Sequence, residues 1–311
     1  MCHSLRSGSH AGDLVVLRPS MPPCASPRLD RDRVTCDDLG VSDPRELERL
    51  AIDAATRAGD HLRDRRPRRV EVVATKSSDV DIVTAMDHRA EEMIVEYLLA
   101  ARPDDGVFGE EGHSRATRSG VTWVIDPIDG TVNYLYGVDD YGVSVAAVAG
   151  DPDPLTWTAL AGCVYNPRRR LTYHAAEGGG AFADERPLQG PTDTGLAGAL
   201  LSTGFGYRPD RRRRQAEIVT ALLEDARDIR RLGSTSIDLC LVADGRLDAH
   251  FERGLNPWDH AAGALIAREA GALVTGPDGG PATAEMTVAA GVRLHAELLA
   301  RLAGLNAFSG Y

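Results

Sequence analysis

Leu47, Leu50, Ala51, Ala54 and Ala58 recur every three or four residues, the spacing that lines one face of an α-helix. Ser42-Asp43-Pro44 offers a cap and a proline in the first turn, with Glu46 just after, so a helix is predicted to start there. The charged, proline-broken stretch from Arg63 to Arg69 ends it. A second helix is predicted from about Asp87 to Ala101, with Ala90, Met93, Ile94, Tyr97 and Leu98 on one face. The pattern then becomes strand-like at Val121–Ile125, Tyr141–Val148, Thr156–Tyr165 and Leu171–Ala175, and the short turns between the later runs predict an antiparallel meander. Gly178-Gly179-Gly180 leads into Ala181-Phe182-Ala183-Asp184, a short strand and turn. With no helix there to receive a pyrophosphate, the glycines read as a hairpin turn and not as a dinucleotide loop.

Beyond residue 190 strands alternate with helices: strand Leu200–Thr203, helices near 211–225 and 235–243, strand 247–252, and helices at about 258–270 and 293–303. Interleaving of this kind predicts a mixed α/β fold built as a layered αβ sandwich. Residues 1–43 differ: Pro19, Pro22, Pro23 and Pro27 are mixed with Ser, Arg and Asp without apolar period, which reads as a disordered extension. The folded part is expected to cover residues 44–311. A chain of 311 residues can form one large domain or two intimate subdomains, here divided at about 44–190 and 191–311.

Composition narrows the class. An apolar fraction of 43% and a charged fraction of 26% are those of an ordinary soluble protein. No run approaches the roughly 20 apolar residues of a membrane span. Leu14-Val15-Val16-Leu17 is too short for the apolar core of a secretory leader, so a cytoplasmic protein without membrane contact is expected. The five cysteines (Cys2, Cys24, Cys36, Cys163 and Cys240) are odd in number and contain no Cys-x-x-Cys pair, which argues against a disulfide framework or a zinc site. A net charge of −11 argues against a general nucleic-acid binder. The arginine runs Arg65-Arg66-Pro67-Arg68-Arg69, Arg168–Arg170 and Arg211–Arg214 read as solvated helix ends and turns, the alternative being a docking surface for an anionic partner.

The candidate chemistry lies in the acids. In Trp123-Val124-Ile125-Asp126-Pro127-Ile128-Asp129-Gly130-Thr131 an apolar strand delivers Asp126 to its end, Pro127 removes a donor, and Asp129-Gly130 turns the chain. Two carboxylates three residues apart around a rigid bend can face one small volume, with the Ile128 carbonyl between them. An all-oxygen cluster suits a hard cation such as Mg²⁺. Alone, Asp-Pro-x-Asp-Gly is also a good surface turn. Three other places add acids: Glu110-Glu111 after Phe108-Gly109, Asp87 at a helix start, and Asp259 at the start of a second helix. Singly, each has an ordinary use in capping or solvation. Together they predict a bound divalent ion, because clustered carboxylates in a shielded site repel.

These residues resemble the inositol monophosphatase family of metal-dependent, lithium-sensitive phosphatases, from about residue 44 to the C-terminus. The likeness rests on Lys76…Asp81-x-Val83-Thr84-x-x-Asp87, Gly109-Glu110-Glu111, Asp126–Thr131 continuing to Asn133-Tyr134, and Trp258-Asp259-His260-Ala261-Ala262-Gly263, in matching order and spacing. The resemblance implies an αβαβα sandwich of the inositol monophosphatase and fructose-1,6-bisphosphatase type. It implies two or three Mg²⁺ ions held by Glu110, Asp126, the Ile128 carbonyl, Asp129 and Asp259, with Asp126 bridging two of them. It places the substrate phosphate against these ions and the Gly130 and Thr131 amides, with Thr131, Asp87 and Glu110 activating a water for in-line attack. Ser234, Thr235 and Glu252, with Asp129 and Asp259, would contact the rest of the substrate, and a homodimer is expected. Lys76 and Glu111 match without a fixed role.

No P-loop, no Gly-x-Ser-x-Gly elbow and no His-Glu-x-x-His spacing offers a rival chemistry. The leading expectation is a phosphomonoesterase acting on a sugar or cyclitol phosphate, inositol 1-phosphate first. Histidinol phosphate, fructose 1,6-bisphosphate and adenosine 3′,5′-bisphosphate are the alternatives within the resemblance, and a non-catalytic binding protein or a calcium-binding module are those outside it. Leu201–Tyr207 follows a bacterial-looking variant, and Asn256 stands where animal relatives carry His, so both bear on substrate choice. The acidic Glu252 region favours a neutral polyol leaving group over a second phosphate, which would want Arg or Lys there.

Overall fold

The computed structural model describes residues 43–67, 70–75 and 82–309. The expected extension at 1–43, all but its last residue, and the candidates Lys76 and Asp81 lie outside them. In chain order the elements are α1 (Pro44–Arg65), β1 (Val72–Thr75), β2 (Ile82–Thr84), α2 (Ala85–Ala101), β3 (Gly106–Gly109), β4 (Ser114–Arg115) and β5 (Val121–Asp129). A short helix α3 (Thr131–Tyr136) follows, then β6 (Gly142–Ala149), β7 (Thr158–Asn166), β8 (Leu171–Ala176), β9 (Ala181–Ala183) and β10 (Arg186–Pro187). The remainder comprises β11 (Leu200–Thr203), α4 (Pro209–Leu222), β12 (Asp228–Arg230), α5 (Thr235–Ala243), β13 (Ala249–Glu252), α6 (Pro257–Glu269), β14 (Leu273–Thr275), β15 (Thr287–Ala290) and α7 (Val292–Gly304).

Strands β10-β9-β8-β7-β6-β5-β3-β4 form one sheet, and β12-β11-β13-β15-β14 a second. The expected meander is present from β5 to β10, all antiparallel, while β3 joins β5 in parallel. Because side chains alternate along a strand, each face of the large sheet builds its own core. Trp123, Ile125, Val143, Val145 and Cys163 pack with α1 and α2. Val124, Ala146, Val148 and Val164 pack with α5 and α6 on the other face. The second sheet closes a third core against α4 and α7 through Leu201, Phe251, Val288, Leu222, Leu294 and Leu298. The layers therefore run helix, sheet, helix, sheet, helix, and the αβαβα expectation is met. Among the described residues no helix is long and apolar enough to cross a membrane.

Helix α1 explains how closely the outer layer sits. Its buried stripe of Leu47, Leu50, Ala51, Ala54, Ala55, Ala58 and Leu62 uses alanine where the sheet approaches, and a Cβ at Gly59 would overlap the Tyr165 ring of β7. Each fully buried leucine contributes roughly 1.5–3 kcal/mol. Trp123 is fully buried, and its indole N–H donates to Asp105 Oδ2 at 2.9 Å, so no donor is orphaned.

Buried charge also ties α1 to the sheet. Glu48 accepts from His174 Nδ1 at 2.8 Å and Arg45 Nη1 at 3.0 Å, while His174 Nε2 faces the Asp184 carbonyl at 2.8 Å. Both partners of the imidazole are acceptors, so the ring carries two protons. Burial pushes the Glu48 carboxyl up, but the bonds from His174 and Arg45 outweigh it and hold it below its ordinary 4.5. Burial pushes His174 down, but Glu48 and the Asp184 carbonyl hold it above its ordinary 6.5. The Glu48 contribution is thus complete above 4.5 and lost as pH falls through its lower folded value; that of His174 is complete below 6.5 and lost as pH rises through its higher folded value. Glu48→Gln should cost roughly 1–3 kcal/mol. The gap in melting temperature from the wild type should be widest between pH 4.5 and 6.5 and narrow at alkaline pH, as thermal denaturation across a pH series will read.

Candidate metal and phosphate site

The sequence candidates are delivered by element ends. Glu110 follows β3, Asp126, Ile128 and Asp129 close β5, and Gly130 and Thr131 open α3. Ser234 and Thr235 open α5, Glu252 ends β13, and Asp259 sits in the first turn of α6. All of these line one cavity of about 380 Å³.

The end of β5 is the decisive local feature. Residues i and i+3 of a regular strand point to opposite faces, which would separate Asp126 from Asp129. Against β6, however, Asp126 pairs with Ser144 and Asp129 with Gly142, so β5 carries one extra residue. This bulge, at Pro127 where a ladder donor is missing anyway, returns both aspartates to one side. Gly130 then adopts a left-handed φ of 97°, which turns the chain into α3.

Hydrogen bonds fix the individual side chains. Asp126 Oδ1 accepts from Ile128 N at 3.0 Å. Asp129 Oδ2 accepts from Ser234 Oγ at 2.7 Å, Ser236 N at 2.6 Å and Ser236 Oγ at 2.5 Å. Asp259 Oδ2 accepts from Asn256 N at 2.6 Å, and Thr235 Oγ1 donates to Glu252 Oε2 at 2.8 Å. Asp87 stands behind the cavity wall. It caps α2 through Thr84 N (2.8 Å) and Thr84 Oγ1 (2.5 Å), while its other oxygen faces Thr131 Oγ1 at 3.4 Å. Thr131 Oγ1 also lies 3.1 Å from the Ile128 carbonyl. Asp87 therefore serves as both cap and partner of Thr131. Glu111 does not reach the cavity: its carboxylate is buried beside His88 at 3.5 Å.

The electrostatics are those of acids packed together. Burial raises Asp126 well above its ordinary range, and Glu110, Asp129 and Asp259 add repulsion. Burial and the charges of Glu110 and Asp129 raise Asp259 likewise. Asp129 is raised by burial despite its bonds to Ser236 and Ser234. Asp87 is pushed up to about 7, by burial against the Thr84 bonds, with Glu111 and Glu110 contributing. Among the described residues Asp126, Asp129 and Asp259 form no salt bridge with Arg or Lys. Nor do any three Asp, Glu, His or Cys side chains among them stand close enough to make a ready ion cage. By donor chemistry the set still fits a hard divalent cation: carboxylates and one carbonyl, without sulfur or imidazole, sharing one cavity.

The profile described as the inositol monophosphatase family matches residues 43–306. The chain belongs to the inositol monophosphatase family. Inositol-1-monophosphatase SuhB of Mycobacterium tuberculosis is 41% identical over 285 residues, covering 85% of this chain and 96% of that protein. Nus factor SuhB of Pasteurella multocida is 38% identical over 258 residues, covering 81% and 94%. The crystal structure of extragenic suppressor protein suhB from Bartonella henselae superposes with a TM-score of 0.75 at 29% identity, covering 82% of this chain and 97% of that one.

Some residues of this inositol monophosphatase-family site escape a sequence reading, and others are marked by sequence without their role. Ser236 and Asp238, on α5, orient Asp129 and line the cavity respectively, with no motif to mark them. Asn133 Nδ2 bridges the Asp140 and Leu232 carbonyls at 2.5 and 2.8 Å, locking α3 to the loop before α5. The arginine runs are not simply solvated. Arg66 donates to the Tyr134 and Leu135 carbonyls, both at 3.1 Å, steadying α3 from behind. Arg168 and Arg169 pair with Asp139 and Asp140 at 2.9 and 2.7 Å. Contrary to the expectation of a wall without basic residues beside Glu252, Arg208, Arg211, Arg231 and Arg253 all line the cavity. Three of them come from segments distant from Glu252 in sequence, which is why its immediate neighbourhood gave no sign of them.

Burying like charges costs stability, and Asp126→Asn removes one charge while keeping the oxygen that accepts from Ile128 N. In the presence of a chelator, Asp126→Asn should stabilise the protein by roughly 1–3 kcal/mol, read as a higher melting temperature. An unchanged or lower melting temperature would contradict the buried repulsion.

Proposed function

We propose that this chain is a Mg²⁺-dependent phosphomonoesterase that hydrolyses inositol 1-phosphate to inositol and phosphate. The observation that carries the reading is the meeting of Glu110, Asp126, the Ile128 carbonyl, Asp129 and Asp259 with Gly130 and Thr131 in one cavity. That the mycobacterial relative is named an inositol-1-monophosphatase supports the choice of substrate.

In this reading Glu110, Asp126, Asp129, Asp259 and the Ile128 carbonyl hold the divalent ions. Bound there, Mg²⁺ supplies Lewis-acid polarisation of the phosphoryl group and a lowered pKa for water. The amides of Gly130 and Thr131 bind phosphate oxygens at the start of α3, where Gly130 holds the left-handed conformation that turns the chain and a Cβ would crowd the Gly233 and Asp140 carbonyls. Thr131 Oγ1 and Glu110 orient the attacking water. Asp87, pushed up to about 7, accepts the Thr131 hydroxyl hydrogen bond, so that the proton of Thr131 can pass to Asp87 as Thr131 Oγ1 takes one from the water. Glu252 accepts hydrogen bonds from substrate hydroxyls, with Ser234 and Thr235 on the same wall, and Thr235 fixing its carboxylate. A Cβ at Gly204 would overlap Glu252, so that glycine is required for the wall to close this tightly. A second reading, a binding protein that keeps the fold without turnover, draws on the relative named Nus factor SuhB.

Phosphate release from inositol 1-phosphate with millimolar Mg²⁺ tests the proposal. Turnover should vanish with excess chelator and return with Mg²⁺. Asp126→Asn should reduce kcat by about a thousandfold or more. Li⁺ should inhibit. Release of no phosphate from any sugar phosphate, together with binding to RNA or protein, would favour the second reading.

A further inference from the structure

We propose that the cavity contains a second anion subsite centred on Arg211 and Arg231, so that the chain prefers phosphate esters bearing a second anionic group over the matching monoesters. The inference rests on the proposed function, in which the carboxylates take the phosphate that is cleaved.

The four cavity arginines follow strands of the second sheet: Arg208 and Arg211 after β11, Arg231 after β12, Arg253 after β13. Glu110, Asp126 and Asp129 come from the first sheet. Two of the arginines are committed. Arg208 grips Asp210 at 3.2 and 2.5 Å, and Arg253 Nη1 lies 3.4 Å from the Ala307 carbonyl. Neither Arg211 nor Arg231 forms a salt bridge among the described residues.

Arg211 is the more telling. Its Nε is buried and has no hydrogen-bond partner, an exception for a strong donor. The side chain is threaded between two glycines, and a Cβ at either Gly206 or Gly254 would overlap it. This slot is fixed. Gly206 N donates to the buried Gln215 Oε1 at 2.9 Å, Gln215 Nε2 reaches the Gly204 carbonyl at 3.4 Å, and Arg212 Nε donates to the Gly206 carbonyl at 2.9 Å. Arg231 is similarly accommodated by Gly233, where a Cβ would stand 2.5 Å from its Nη1.

The opposing charges on this wall are Glu252 and Asp238. Glu252 Oε2 is occupied by Thr235 Oγ1, and Glu252 forms no salt bridge with either arginine. A planar guanidinium that lines the cavity without a salt bridge can offer its terminal N–H groups to a phosphate or carboxylate oxygen. A cavity of about 380 Å³ has room for a small ring with a phosphate at each end. The preferred substrates are therefore sugar, cyclitol or nucleoside esters carrying the cleaved phosphate and a second anion, with monoesters such as inositol 1-phosphate turned over less efficiently.

The test compares kcat/KM of the full chain with Mg²⁺ on matched pairs: inositol 1,4-bisphosphate against inositol 1-phosphate, and fructose 1,6-bisphosphate against fructose 1-phosphate. The bisphosphate should be favoured by about tenfold or more, since a charge-assisted pair is worth at least that factor. The ratio should fall towards one in Arg211→Gln, carried mainly by KM, and should shrink as salt rises to roughly 0.3 M. If Arg211→Gln does not fold, Arg231→Gln and the salt series on the wild type decide the same question. Equal turnover of both members of each pair, or a ratio unmoved by the substitution and by salt, would overturn the subsite while leaving the phosphatase reading intact. Turnover of neither member would remove that reading and the subsite with it.

Discussion

Mutual repulsion of buried carboxylates is the constraint around which this fold is organised. In a partly shielded site, with an effective dielectric of about 20, two charges 4 Å apart repel by roughly 4 kcal/mol. The chain nevertheless brings Glu110, Asp126, Asp129 and Asp259 to one cavity. The surrounding structure offsets this with oriented donors: Ser234, just before α5, and Ser236 within it on Asp129, the Asn256 backbone amide on Asp259 and the Ile128 amide on Asp126. Helices α5 and α6 both begin at the cavity, so the positive ends of their dipoles face the acids. In the proposed reading, what the donors leave uncompensated would favour taking up a divalent cation.

The layered architecture follows from the same need. A bulge at the end of β5 places two acids on one side of the large sheet, and only the middle helical layer, shared by both sheets, can bring α5 and α6 donors to that point. The second sheet then contributes a wall of different character, with Glu252 at the end of β13, Arg208, Arg231 and Arg253 just beyond its strands, and Arg211 in the first turn of α4. One cavity thus has an acidic floor suited to metal and phosphate and a mixed wall suited to the remainder of a substrate.

Much of this was legible in the chain. Long apolar periods marked α1, α2, α5 and α7, and the alternating runs from Val121 to Ala175 marked the meander, because both rest on local spacing. The four acidic motifs were visible for a similar reason: each sits beside a proline, glycine or cap that punctuates the sequence. Strands β12, β14 and β15 were missed. They are three or four residues long, and their burial comes from neighbours far along the chain. The bulge was anticipated only as a bend, since counting residues against β6 requires the pairing partner. Ser236, Asp238, Arg231 and Arg253 carried no signal, and Arg211 was marked only as part of a charged run, because a lone polar residue on a helix or loop acquires meaning only from what the fold sets opposite it. Arg211 shows this most plainly: read along the chain it belongs to a charged helix start, yet its side chain runs between glycines of two other segments.

Direct binding of Mg²⁺ in the absence of substrate tests the central claim most closely. Equilibrium dialysis or calorimetry should find two or three ions per wild-type chain, with fewer retained by Asp259→Asn and fewest by Asp126→Asn. Absence of Mg²⁺ binding at millimolar concentration, or binding that both substitutions leave untouched, would show that these carboxylates are gathered for some other purpose.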